Sequence, residues 1–175
     1  MIETIDMSEY LYRLQEYLER KCDTVIVTNK EMCVLIGDSD SNLQYCSEHN
    51  IPVYRTHDGG TIVNFAGDIC VGNYQPTFNT YGEDFLKKFT EWLRGKGLNA
   101  SFEGNDVLVD DNLKVGSYMT IYTGACLYTA LHLSYGMDLE VIKQVCTKPM
   151  EKVPQGLEEL GISNSDILEF VKENC

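Results

Sequence analysis

An α+β fold, with a central, mainly antiparallel or mixed β-sheet and helices packed against it, is predicted by three features of this 175-residue chain. Short β-branched or apolar runs succeed one another between turn residues, which is how a sheet is written into a sequence. Stretches near the start, middle and end carry apolar residues at spacings of three and four, the period of one helix face. No internal repeat, low-complexity tract or Ser/Gly-rich linker intervenes, so residues 1–175 are expected to form a single domain with no accessory C-terminal domain.

Taken in order, Ser8 is expected to cap a helix running to Cys22, with Leu11, Leu14 and Leu18 on its buried face. Runs 24–28 and 32–36, joined by Asn29-Lys30, read as a hairpin. Residues 43–49 form a short helix, and Pro52 opens a strand that ends in Arg55. Beyond Gly59-Gly60, runs 61–65 and 69–74 read as a second hairpin around Gly67-Asp68. Phe85, Leu86, Phe89, Trp92 and Leu93 mark an amphipathic helix stopped by Gly95 and Gly97, and it must pack on a sheet. Strands 100–102, 107–109, 113–119 and 127–135 follow, with helices near 139–146 and 165–173 at the end.

The chain holds 27 acidic against 14 basic residues, a formal net charge of -13. That charge repels phosphate backbones and anionic membrane surfaces, and no Lys/Arg run offsets it, so nucleic acid and membrane are excluded as expected partners. No apolar run reaches the roughly 18 to 20 residues of a spanning helix. The opening residues lack the basic and apolar regions of a secretory signal, which makes the cytoplasm the expected location. Seven Cys, an odd number without any C-x-x-C pair, suggest neither a disulfide framework nor zinc, and three dispersed His suggest no metal motif. No tightly bound cofactor is expected.

The segment richest in chemistry is Ile51-Pro52-Val53-Tyr54-Arg55, followed by Thr56-His57-Asp58-Gly59-Gly60-Thr61. An Arg at a strand end offers a planar, permanent cation for a carboxylate or phosphate, and paired glycines let backbone approach a ligand closely. From the residues alone, an anion-binding loop and a tight turn with a surface Arg both remain open.

In wider context the chain resembles the catalytic domain of lipoate-protein ligases, relatives of biotin ligases and octanoyltransferases. The likeness lies in motif order: Val34-Leu35-Ile36-Gly37, the stretch 45–50, the Ile51–Arg55 strand with its glycines, Asn105-Asp106-Val107-Leu108-Val109 leading to Lys114 and Gly116, and the closing run from Asp138 to Lys152. The resemblance implies a biotin/lipoate ligase-like fold related to class II synthetases. It also implies a two-step reaction, in which ATP with magnesium activates lipoate or octanoate as an acyl-adenylate and the acyl group passes to a lysine of a lipoyl carrier domain. On that analogy Lys114 is the catalytic residue, Asp106 approaches magnesium, and Arg55, Gly59, Gly60, Thr61, Asn105 and Gly116 bind substrate or nucleotide.

Three positions depart from the family pattern. Thr61 stands where a third glycine is usual, Phe65 where a His is usual, and Leu113 where the family's lysine falls, with Lys114 one residue beyond. One step along a strand turns a side chain to the other face, so Lys114 enters the site only if a bulge or shortened turn resets the register. A ligase-like protein that binds an acyl group, nucleotide or carrier without turnover is therefore a rival reading. A thioester route through Cys146 is another, although packing is the commoner fate of a Cys on a helix. His57 reads as a solvated loop residue, His132 as a satisfied core side chain, and Tyr118, Tyr122, Tyr128 and Tyr135 as core.

Overall fold

The computed structural model describes residues 2–20, 24–37, 40–55, 60–75, 80–122 and 127–175. Strand β1 (Ile2–Ile5) leads into helix α1 (Met7–Arg20), then β2 (Thr24–Thr28), β3 (Cys33–Ile36), α2 (Leu43–Glu48), β4 (Val53–Arg55), β5 (Thr61–Asn64) and β6 (Ile69–Gln75). The second half comprises α3 (Tyr81–Gly95), β7 (Ala100–Glu103), β8 (Asp106–Val109), β9 (Leu113–Tyr122), β10 (Leu127–Leu133), α4 (Leu139–Val145), β11 (Val153–Pro154) and α5 (Asn164–Asn174). The large sheet runs β1-β2-β6-β10-β9-β8-β7, with β11 beside β9, and a smaller sheet runs β4-β3-β5. Pairing is antiparallel except at β1–β2, β3–β4 and β9–β11. The mixed sheet with packed helices expected from the sequence is present.

Three apolar layers hold these elements together. Phe85, Leu86, Phe89 and Leu93 of α3, with Ile167, Phe170 and Val171 of α5, cover one face of the large sheet against Ile26, Val71, Val107, Val115, Leu131 and Leu133. Each large side chain buried there contributes about 1.5–3 kcal/mol. The other face of the large sheet looks toward α1 and the small sheet, through Met7, Tyr10, Val25, Val27 and Cys33. Alternation along β3 sends Val34 and Ile36 the opposite way, into a third layer with Cys46, Ile142 and Val145 beneath α2 and α4.

Two local expectations are corrected. Ser8 lies inside α1, and the side chain that caps it is Asp6: its Oδ1 accepts from Glu9 N at 2.9 Å and from Ser8 Oγ at 2.7 Å. A carboxylate satisfies an orphan N–H and also meets the positive end of the helix dipole, which a hydroxyl does less well. Neither expected hairpin forms, because β2 and β6 belong to the large sheet while β3 and β5 belong to the small one. Turn residues bend the chain in both places, and each bend carries it from one sheet to the other across an apolar layer.

The two crossings lie side by side and are stitched together. Asn29 N donates to the Asp68 carbonyl at 2.9 Å, Gly67 N donates to the Asn29 carbonyl at 2.8 Å, and Asn29 Nδ2 donates to the carbonyls of Phe65 at 3.0 Å and Glu31 at 2.6 Å. Gly67 has φ +90°, and a Cβ there would meet the Tyr135 ring at 2.3 Å, so only glycine fits. Asn29 is buried, and removing its amide takes a donor from the Phe65 and Glu31 carbonyls. Asn29→Ala is expected to lower the unfolding free energy by about 1–3 kcal/mol, read as a lower denaturant midpoint at unchanged slope.

Candidate functional site

Because side chains alternate along each strand, one face of the large sheet delivers a row of polar groups to the space between the sheets. The register aligns Cys70 of β6, His132 of β10, Ser117 of β9 and Asp106 of β8 across four neighbouring strands. Next to that row stand Gly72, Ala130 and Met119, which are small or apolar. Two cavities follow from this change in chemistry. A polar cleft of about 410 Å³ lies over Asp106, Lys114, Ser117 and His132, walled by Thr61, Ile62 and Val63 of β5 and by Met150, Glu151, Lys152 and Pro154. An apolar slot of about 100 Å³ lies over Gly72, Met119, Tyr128 and Ala130, closed by Met7 and Tyr10 of α1. Ile62, Ser117 and His132 line both, so the slot adjoins the cleft.

Lys114 reaches the cleft through a β-bulge. Val107 pairs with Gly116 but Leu108 pairs with Lys114, which leaves Val115 as an extra residue on β9. Regular alternation from Ser117 would have placed Lys114 on the α3 face; the extra residue turns it to the side of Asp106. Leu113 and Val115 pack instead in the main core. The bulge is held from its other edge as well: the pairing of β10 with β9 ends at Leu133 and Gly116, and beyond it Ser134 N donates to the Val115 carbonyl at 3.0 Å while β11 pairs with Leu113 and Lys114. The register reset that Lys114 needs is thus present.

Asp106 is flanked by two ammonium groups. Its Oδ1 accepts from Lys114 Nζ at 2.8 Å and its Oδ2 from Lys152 Nζ at 2.9 Å, with the carboxylate side chain only 18% exposed. Burial pushes this carboxyl up, but the hydrogen bonds and charges of the two lysines outweigh burial and hold it below the ordinary aspartate value. Lys152 was not singled out in the sequence. It reaches Asp106 because β11 joins the sheet beside Lys114, and a two-residue strand carries too little pattern to be read in advance.

Magnesium does not fit on Asp106 in this arrangement. Both oxygens already face ammonium groups, and a dication would have to displace a lysine from one of them. Among the described residues no cluster of three or more His, Cys, Asp or Glu side chains could hold a metal ion. In this structure Asp106 holds two lysines.

The other expected site residues are dispersed. Thr61 lines the cleft, and its hydroxyl bonds that of Ser41. Arg55 is exposed and is not among the described residues of the cleft. It pairs with Ile36 from one side while Thr61 pairs from the other, which sets Arg55 a strand beyond the cleft wall, on the face that carries Ile36 toward α2 and α4. Gly60 borders open space and accepts from Gly37 N at 3.1 Å. Asn105 is exposed in the β7–β8 turn and contributes its carbonyl to Tyr118 N at 3.0 Å. Gly116 faces the core, where a Cβ would meet Leu133 at 3.1 Å, so its smallness serves packing under α3. Gly59, His57 and Asp58 lie outside the described residues.

Tyr118 and Tyr135 pack on the main core and Tyr128 on the layer beneath α1, as expected, and Tyr118 and Tyr128 also line the slot; the Tyr122 side chain lies outside what the structure describes. The Tyr10 hydroxyl bonds those of Tyr128 and Tyr74, the latter at 3.2 Å, and the rings of Tyr74 and Tyr128 stack at 4.8 Å. Burial pushes the Tyr128 phenol up to about 12, so it stays protonated as a hydrogen-bonding wall. Cys146 lines the cleft at the end of α4, and burial raises its thiol above the ordinary value, with Cys46 adding to the effect.

Among the described residues, no helix is long and apolar enough to cross a membrane. No curated protein matches the chain. Among solved structures, the chain is similar to LipL1 of P. falciparum in complex with lipoate, at 13% identity and a TM-score of 0.79, covering 99% of this chain but only 60% of that one. It is similar to a lipoate-protein ligase A bound with ATP, at 14% identity and a TM-score of 0.76, over 98% of this chain and 81% of that one. It is also similar to the T. acidophilum protein Ta0514 with bound lipoic acid, at 14% identity and a TM-score of 0.76, over 99% and 81%. At these identities the likeness establishes the fold. The family description "Lipoyl protein ligase A/B catalytic domain" matches residues 2–172, nearly the whole chain, and the protein accordingly belongs to the lipoyl protein ligase A/B catalytic-domain family.

Proposed function

We propose that the protein takes a carboxylic acid of the lipoate or octanoate type, activates it with ATP as an acyl-adenylate, and passes the acyl group to a lysine of a carrier domain. The observation that carries this reading is the bulge-directed ammonium of Lys114 in a polar cleft that adjoins an apolar slot. An acid divides its chemistry the same way, with the chain buried among Met7, Met119 and Ala130 and the carboxylate turned toward the cleft. The fold relatives solved with lipoate and with ATP, and a T. acidophilum bi-partite lipoate-protein ligase studied with its E2 lipoyl domain, support the choice of acid, nucleotide and acceptor.

In the first step a carboxylate oxygen attacks the α-phosphorus of ATP, a new P–O bond forms, and pyrophosphate leaves with the electrons of the broken one. Negative charge gathers on the phosphoryl oxygens, where the ammonium of Lys114 stabilises it, with Lys152 as a second cation. Asp106 keeps both lysines directed into the cleft and relieves their mutual repulsion. Magnesium, which triphosphate oxygens suit, would add charge neutralisation there, while Asp106 keeps its role of holding the two lysines. A thioester route through Cys146 receives little support, because burial disfavours the thiolate that such a route needs. A binding role without turnover is favoured by one observation, the position of Arg55 outside the cleft, and the same assays separate it from catalysis.

Incubated with lipoate, magnesium-ATP and an apo lipoyl carrier domain, the wild type is expected to modify the carrier, as read by intact mass. Binding of a lipoyl-adenylate analogue without adenylate formation or carrier modification would instead assign the binding role. Lys114→Ala is expected to lose about 10²–10³-fold in rate, whereas Cys146→Ser is expected to keep it.

A pH effect follows from Asp106. Its folded value lies below its unfolded one, so its contribution to stability is present above about pH 3.9 and drains away as the pH falls through the depressed folded value. Below about pH 4, wild-type stability is expected to fall more steeply than that of Asp106→Asn in denaturant titrations.

A further inference from the structure

The proposed acyl transfer leaves one proton unaccounted for, and the cleft holds a group placed to take it. His132 lines both the cleft and the slot, and its Nε2 lies 3.2 Å from Asp68 Oδ2. Asp68 is 1% exposed, and its orientation is overdetermined: Oδ2 also accepts from Phe65 N at 2.8 Å, and Oδ1 accepts from Tyr135 N at 2.7 Å. A carboxylate that accepts at both oxygens meets the imidazole as an acceptor, so Nε2 carries the hydrogen and the lone pair falls to Nδ1. A buried acid that fixes a histidine's tautomer while its second nitrogen stays available is the arrangement by which enzymes orient a base.

The other candidates in the cleft are poorly suited to accept a proton. Both oxygens of Asp106 are taken by ammonium groups. Glu151 is exposed on the rim, and the Cys146 thiol is pushed up by burial. Imidazole is the side chain whose charge change falls nearest neutral pH.

We propose that His132, oriented by Asp68, is the general base of the transfer step, a role that rests on the acyl-adenylate reading above. The carrier lysine, having lost its ammonium proton to solvent, attacks the acyl carbon as a free amine. The C–N bond forms, and the C–O bond to AMP breaks with its electron pair leaving on the phosphate oxygen. His132 takes the proton that the nitrogen must shed to become an amide, and returns it to solvent. Asp68 is a positioning residue in this scheme. The same carboxylate also braces the crossing at residues 65–68, so the fold and the base share one anchor.

The test supplies prepared lipoyl-adenylate and an apo lipoyl carrier domain, which bypasses activation, and follows single-turnover amide formation. His132→Gln is expected to slow transfer by about 10²–10³-fold, and added imidazole is expected to restore His132→Ala by at least about tenfold. Both variants are made so that a loss of fold in one leaves the other to decide. Transfer within about twofold of wild type in either folded variant overturns the proposal. Slow transfer without rescue by imidazole also overturns it, by assigning His132 to holding Asp68 in place. A wild type that cannot use the supplied adenylate overturns the acyl-transfer reading itself.

Discussion

A single extra residue on β9 decides what the cleft contains. Val115 interrupts the two-residue alternation, so that Leu113 and Val115 enter the core beneath α3 while Lys114 turns to Asp106 on the opposite side. Without the bulge the same sequence would carry an ammonium group into an apolar layer, at a desolvation cost of several kcal/mol. The arrangement is braced from both edges, by β8 on one side and by Ser134 and β11 on the other. Bulges beside functional sites commonly re-aim one side chain in this way.

The space that Lys114 enters exists because the chain twice leaves one sheet for the other. The crossings at 29–32 and 65–68 set β3 and β5 across an apolar layer from β2 and β6, and the unfilled part of that layer is the slot. Their anchors are buried polar groups: the Asn29 side chain bonds backbone of the other crossing, and the Asp68 side chain bonds backbone of its own crossing and of Tyr135. A buried hydrogen bond adds little net stability, but a broken one costs the desolvation of both partners, so such groups specify one crossing geometry and penalise others.

Much of the fold was legible in the sequence, and the reasons are physical. The aromatic stripe from Phe85 to Leu93 and the left-handed Gly97 define α3, and the runs from Ala100 to Leu133 define β7 to β10, because their periods are long enough to be unambiguous. The order of motifs identified the family. Partners of strands were not legible: a turn at Gly67 looks the same whether the chain folds back or crosses over. Nor could alternation place Arg55, whose face depends on pairing with β3, or reveal Lys152, which nears Asp106 through the short β11. Leu113 and Lys114 stood one position from the family pattern, and only the bulge explains how that offset is absorbed.

Which residue of the pair at 113 and 114 faces the cleft is therefore decisive. Exchanging them, with Leu113→Lys and Lys114→Leu together, keeps composition and moves the ammonium by one step. If the bulge sets the register as described, the exchanged protein melts at a lower temperature, because a charge now enters the α3 layer, and carrier lipoylation falls to the level of Lys114→Ala. An exchanged protein that is as stable as the wild type and transfers the acyl group as fast would contradict it, since the lysine would then be reaching the cleft from the other register.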